Sequence, residues 1–94
     1  MARIESHPDH TMDLPAFSRT VIDFLREARP DLATRIAPLG VDEDMFEAGA
    51  VDSATFLDLC LALEERTGGI IDITELEPEQ FSTIRGLFDV ALPP

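Results

Sequence analysis

The sequence predicts an all-α fold: a small bundle of three main helices plus a short helical turn, with a long loop between the first and second helices. Three observations carry that prediction. Apolar residues recur at spacings of three and four in three separate segments. Proline and glycine punctuate the chain between those segments. The one strand-like run, Ile70, Ile71 and Ile73, has no second alternating run to pair with, and a lone strand is not stable.

The first helix is expected from about Leu14 to Ala28, with Asp13 placed to cap it and Pro15 suited to its first turn. Phe17, Val21, Phe24, Leu25 and Ala28 form its apolar stripe, with Arg19, Asp23, Arg26 and Glu27 elsewhere on the surface. Pro30 disfavours helical geometry at Arg29 and ends it, and Asp31 to Ala37 has room for another turn or two. Val41 to Asp52 is a long acidic loop in which Met45, Phe46 and Val51 are the anchors. The second helix runs from about Ser53 to Arg66 and is stopped by Thr67, Gly68 and Gly69. Ile70 to Ile73 reads as an apolar connector into a short turn near Ile73 to Leu76, which Pro78 ends. The last helix starts near Ser82, places Ile84, Leu87, Phe88 and Ala91 on one face, and stops at Pro93. Residues 1–12 are polar and aperiodic and read as a flexible leader, so the domain proper is residues 13–92.

A chain of 94 residues is one small domain with room for a thin core between helices and little for a deep catalytic cleft. No apolar run approaches the roughly 20 residues of a membrane span and no signal-peptide pattern opens the chain, so a cytoplasmic location is expected. The single Cys60 excludes an intramolecular disulfide and reads as a small apolar helix residue. Nineteen acids face seven bases, all of them Arg, for a net charge of −12. From Asp42 onward there are thirteen acids against only Arg66 and Arg85. Such a surface repels nucleic-acid phosphates and anionic lipid, which argues against both as partners, and it steers toward a basic protein. Metal is not expected. His7 and His10 are two ligands where a structural site needs about four. A calcium loop starting at Asp42 fails on spacing, with Phe46 at its fifth position, Glu47 at its sixth and Ser53 at its twelfth.

The second helix holds the functional signal. Phe56, Leu59, Cys60, Leu63 and Thr67 fall on one side and can fill the core against Phe17, Phe24, Ile84 and Phe88. Ala54, Leu57 and Leu61 fall on another side, together with Asp58, Glu64 and Glu65. Either that second side is also buried, or it is an exposed apolar ridge rimmed by acids, suited to docking a basic partner. Ser53 stands at the start of the helix, after Asp52. Helix N-termini present unpaired N–H groups and partial positive charge, so an anion attached to Ser53 is favoured there by about 0.3–1 kcal/mol. Taken alone, an Asp–Ser pair at such a position does no more than cap the helix.

The surrounding residues place the pair in a context. Asp-Ser-Ala-Thr-Phe-Leu-Asp-Leu (Asp52 to Leu59), followed by Leu-Ala-Leu-Glu-Glu (Leu61 to Glu65), resembles the segment around the modified serine of acyl and peptidyl carrier proteins. Phe46-Glu47-Ala48-Gly49 resembles that family's lead-in, and Phe81-Ser82-Thr83-Ile84 with Leu87 resembles its entry into the last helix. The resemblance covers about Leu14 to Leu92. Two departures stand out: Ala54 where the family usually has Leu, and Thr67 beside an extra glycine pair where Phe is common.

That resemblance implies a non-enzymatic carrier of an acyl or aminoacyl group, and the strong acidity and single-domain length favour a free-standing one, expected to be a monomer. The group rides as a thioester on a 4'-phosphopantetheine arm attached to Ser53. It implies three kinds of partner: a phosphopantetheinyl transferase, an acyl- or aminoacyl-activating ligase, and a downstream synthase or transferase with a basic docking surface. Asp52, Ala54, Leu57, Asp58, Leu61, Glu64 and Glu65 are the docking residues it implies. No His lies near Ser53 in sequence, so a serine hydrolase is not expected. The alternative is an acidic helical interaction module with no prosthetic group.

Overall fold

Asp13 opens helix α1 (Leu14–Ala28) by accepting the Ala16 N–H at 2.9 Å, with Pro15 in the first turn, and Arg29 closes it ahead of Pro30. These are features of a computed structural model, which describes residues 12–92. The chain continues through a 3-10 turn (Pro30–Leu32) into the short helix α2 (Ala33–Ile36). A long loop then leads to α3 (Ser53–Thr67), a second 3-10 turn (Ile73–Glu75), the single-turn α4 (Pro78–Phe81) and α5 (Ile84–Ala91). The fold is all-α, as the periodicities predict. No helix among the described residues is long and apolar enough to cross a membrane. The expected leader, with His7 and His10, lies outside the described residues apart from Met12, which packs against the core.

The core sits where α1, α3 and α5 face one another. Phe17, Val21 and Leu25 of α1, Leu59 and Leu63 of α3, and Ile84 and Leu87 of α5 are all buried. Phe17 and Phe88 meet edge to face, their centroids 5.4 Å apart. Phe24 and Phe88 are only half-buried at the margin of the core and Ala28 is exposed, so the apolar stripe of α1 is narrower than its spacing predicts. Met45 and Val51 anchor the long loop as expected, Phe46 covers it from a half-buried position, and Ala50 is a further fully buried anchor.

The last helix lies close to where it is expected, but the segment before it departs from the sequence reading. The helix begins at Ile84, two residues after Ser82, capped by Thr83 accepting the Gly86 N–H. Pro78 does not end a turn; it opens α4, where its fixed φ and missing N–H suit a first helical position. The break between α4 and α5 is held from outside. The carbonyl of Ser82 accepts the Met45 N–H at 2.8 Å, and the Arg85 N–H donates to the Val41 carbonyl at 2.9 Å. Asp42 receives two hydrogen bonds from the Arg85 guanidinium, at 2.7 and 3.2 Å. The long loop is therefore stitched to the far helices before it delivers the chain to α3.

The glycine pair after α3 has a geometric reason. Gly68 takes the left-handed conformation, φ 75°, that ends the helix, and its N–H returns to the Glu64 carbonyl. A side chain on Gly69 would strike the Ala91 carbonyl oxygen at the end of α5. Thr67 is buried, donating to the Leu63 carbonyl at 2.8 Å and accepting the Gly69 N–H at 3.1 Å. A small polar residue at position 67 and a bare backbone at 69 let the connector pass close under α5.

Candidate functional site

Ser53 is the first residue of α3 and is exposed. Its placement follows from Asp52, whose extended backbone and carboxylate cap the helix by accepting the Thr55 N–H at 2.8 Å. The other carboxylate oxygen accepts a hydrogen bond from the Arg29 guanidinium at 2.9 Å. Arg29 is itself held by Asp31 through two bonds, of 3.0 and 2.8 Å. Both oxygens of Asp52 are thus engaged inside the chain, and the Ser53 hydroxyl makes no hydrogen bond to another described residue. This fixes the backbone beneath Ser53 while leaving its side chain available to solvent.

The electrostatics follow from those bonds. The Thr55 N–H, then Arg29, hold the Asp52 carboxyl below its ordinary 3.8. Arg29 does the same for Asp31, and Arg85 for Asp42. A carboxylate whose folded value is depressed stabilises the fold above its unfolded value, and loses that contribution as pH falls through the folded one. The stability gap between the wild-type protein and Asp52→Ala is therefore expected to be full at pH 7. It should shrink as pH drops below 3.8, read as the urea midpoint of both proteins at each pH.

Around Ser53 lies an open apolar hollow of about 240 Å³, lined by Phe46, Phe56, Leu57, Ile73 and Phe81. Its aromatic floor is continuous: Phe56 stacks at a tilt on Phe46, centroids 5.1 Å apart, and on Phe81 at 5.5 Å. Asp44 shapes the approach by accepting the N–H groups of both Phe46 and Glu47, at 2.9 and 3.0 Å. The surroundings fit a tethered phosphodiester with an apolar-walled path leading away from it. A hydroxyl projects into solvent at the electropositive end of a helix, and a shallow hydrophobic wall stands beside it.

The two sides of α3 are resolved. Phe56, Leu59, Cys60, Leu63 and Thr67 are buried, together with Thr55. On the other side Leu57 is 51% and Leu61 63% exposed, with Ala54, Asp58 and Glu65 also exposed. Glu64 differs from the rest of its set. It is half-buried, and its carboxylate accepts the Ile71 N–H at 2.7 Å, so it faces its own chain. The aromatic hollow, the Arg29 clasp on Asp52 and the Glu64 tether are absent from a reading of the sequence. Only Phe46 and Phe81, in the segments flanking α3, carried any sign of the hollow.

Cys60 is buried on the core side of α3, and burial, with Glu64 nearby, pushes its thiol up to about 11. A thiol so placed is nearly devoid of thiolate at neutral pH.

A family model for the phosphopantetheine attachment site matches residues 19–90, a span that includes the whole of α3. A D-alanyl carrier protein from Bacillus velezensis is 33% identical over 67 residues, covering 71% of this chain and 82% of that protein. No solved structure matches the chain. With the family match running over most of its length and a relative that shares a third of the aligned residues, the chain belongs to the phosphopantetheine-dependent carrier proteins, whose cofactor is covalently attached 4'-phosphopantetheine.

Proposed function

We propose that Ser53 is the attachment residue, and that the protein carries an acyl or aminoacyl group as a thioester and presents it to the partner enzymes of a biosynthetic pathway. The observation that carries this reading is the placement of Ser53: an exposed hydroxyl with no hydrogen bond to another described residue, at the start of α3 and inside the span that matches the family. Similarity to a D-alanyl carrier protein favours an aminoacyl cargo over a fatty acyl one.

The chain acts as an acceptor and not as a catalyst. The Ser53 oxygen forms the new phosphodiester while the pyrophosphate bond of coenzyme A breaks, adenosine bisphosphate leaves, and the hydroxyl proton passes to the modifying transferase. The arm then supplies a terminal thiol on which cargo is held. Asp52, fixed by the Thr55 N–H and Arg29, sets the direction in which Ser53 leaves the helix. Ala54, Leu57, Asp58, Leu61 and Glu65 offer the transferase, the loading ligase and the downstream enzyme a common surface. Its apolar centre supplies affinity and its acids supply encounter rate.

The arm can be counted as a thiol. Cys60 is the only cysteine and is buried, so the unmodified protein is expected to react slowly with a disulfide reagent at pH 8. Incubation with coenzyme A and a broad-specificity phosphopantetheinyl transferase should add one fast-reacting thiol per chain, and Ser53→Ala should gain none. If no fast thiol appears under conditions that load a known carrier, the assignment of Ser53 is wrong.

A further inference from the structure

Ile70 is 77% exposed, the most exposed large apolar side chain among the described residues, and it lies outside α3. The connector that holds it is fixed on both sides. Before it, Gly69 is pressed against the Ala91 carbonyl and donates to Thr67 Oγ1 at 3.1 Å. After it, Ile71 is buried, and its N–H is held by Glu64 at 2.7 Å. A single exposed apolar side chain is ordinary, but one that adjoins other exposed apolar side chains enlarges a patch of the kind that partners cover.

Its position follows from Glu64. On a helix, residues three, four and seven apart share a side, so Glu64 stands on the same side as Leu57 and Leu61. By reaching Ile71, Glu64 draws the connector back to that side and brings Ile70 to its far end. We infer that Ile70 extends the Leu57–Leu61 ridge into one continuous docking surface, and that Glu64 is a positioning residue for Ile70 and not a charge offered to the partner. This rests on the reading that partners dock on α3 to reach Ser53.

The occupant is an enzyme surface with an apolar groove bordered by Arg and Lys, the complement of an apolar ridge flanked by the exposed Asp58 and Glu65 on a chain of net charge −12. The reach is sufficient. An α3 of 15 residues is about 22 Å long. A standard interface of about 800 Å² per partner is roughly 30 Å across. An enzyme centred near Leu61, about 12 Å along the helix from Ser53 and about 9 Å from its Thr67 end, therefore reaches both Ser53 and the connector that holds Ile70.

The test measures initial rates of loading from coenzyme A by a broad-specificity phosphopantetheinyl transferase over a range of carrier concentrations. Ile70→Ala is expected to raise the KM for the carrier about tenfold, the loss of most of one aliphatic side chain from an interface, with kcat unchanged. Glu64→Ala should raise KM in the same way, because the connector is no longer held. Glu64→Gln keeps an oxygen acceptor for Ile71 but not the charge, and should restore what Glu64→Ala loses. An unchanged KM for Ile70→Ala overturns the inference. So does a Glu64→Gln variant as poor as Glu64→Ala, which would show that the partner reads the charge itself. If Glu64→Ala does not fold, the other two variants decide. Failure of the wild-type protein to load at all overturns the attachment assignment and this inference with it, a result distinct from the other two.

Discussion

Ser53→Ala is expected to abolish loading completely while leaving the helical content and the unfolding midpoint within error of the wild-type protein. The asymmetry is physical. The Ser53 hydroxyl makes no hydrogen bond to another described residue and the side chain is exposed, so its removal breaks nothing that the fold uses. Alanine is also a good residue for the first turn of a helix, and the cap remains on Asp52. The chemistry, in contrast, has no substitute. Phosphodiester formation needs an oxygen at that position, and the neighbouring hydroxyl, on Thr55, is buried. Circular dichroism and a urea titration check the fold, and a gel-shift or labelling assay with fluorescent coenzyme A checks the loading. Residual loading of the variant would move the attachment point elsewhere.

Leu57→Arg and Leu61→Arg are expected to lower the efficiency of loading by at least about tenfold each, with little change in stability. Both side chains are more than half exposed, so neither contributes much to the core. Each substitution removes apolar area from the centre of the proposed docking surface and places a cation where the proposal has a basic partner approach, so both affinity and encounter rate should fall. The effect on encounter should weaken at high salt, where charge repulsion is screened, while the loss of apolar contact persists. Measuring kcat/KM at low and high salt, beside a urea titration of each variant, separates the two contributions. Unfolding of the variants would show that this side of α3 is needed by the core. A loading rate equal to that of the wild-type protein would show that partners approach from another direction.

The parts of this structure that were legible in sequence are those whose signals are local. Asp13 with Pro15, and Asp52 before Ser53, mark helix starts through bonds spanning three residues. The spacing of Phe56, Leu59, Cys60, Leu63 and Thr67 alone separates the core side of α3 from the side with Leu57 and Leu61, though not whether that second side is buried. The single turn α4 was not legible, because Pro78 serves equally to end one turn or to open the next. The break between α4 and α5 is marked locally by Thr83, and the Met45 N–H on the Ser82 carbonyl, from a loop far away in sequence, holds it. The Arg29 clasp spans 23 residues, and its nearer partner, Asp31, makes Arg29 look like part of a local ion pair. Glu64 reads as one of a row of surface acids. Its turn toward Ile71 depends on the path of the connector, which Gly68 and Gly69 set through a left-handed cap and a close approach to α5.

That Ser53 bears the arm is tested most directly by weighing the intact protein, before and after incubation with coenzyme A, Mg²⁺ and a broad-specificity phosphopantetheinyl transferase, and then fragmenting the product. One added phosphopantetheine per chain, on the peptide that contains Ser53, is the predicted result. No gain in mass beside a control carrier that loads fully, or a gain located on any other residue, would contradict it.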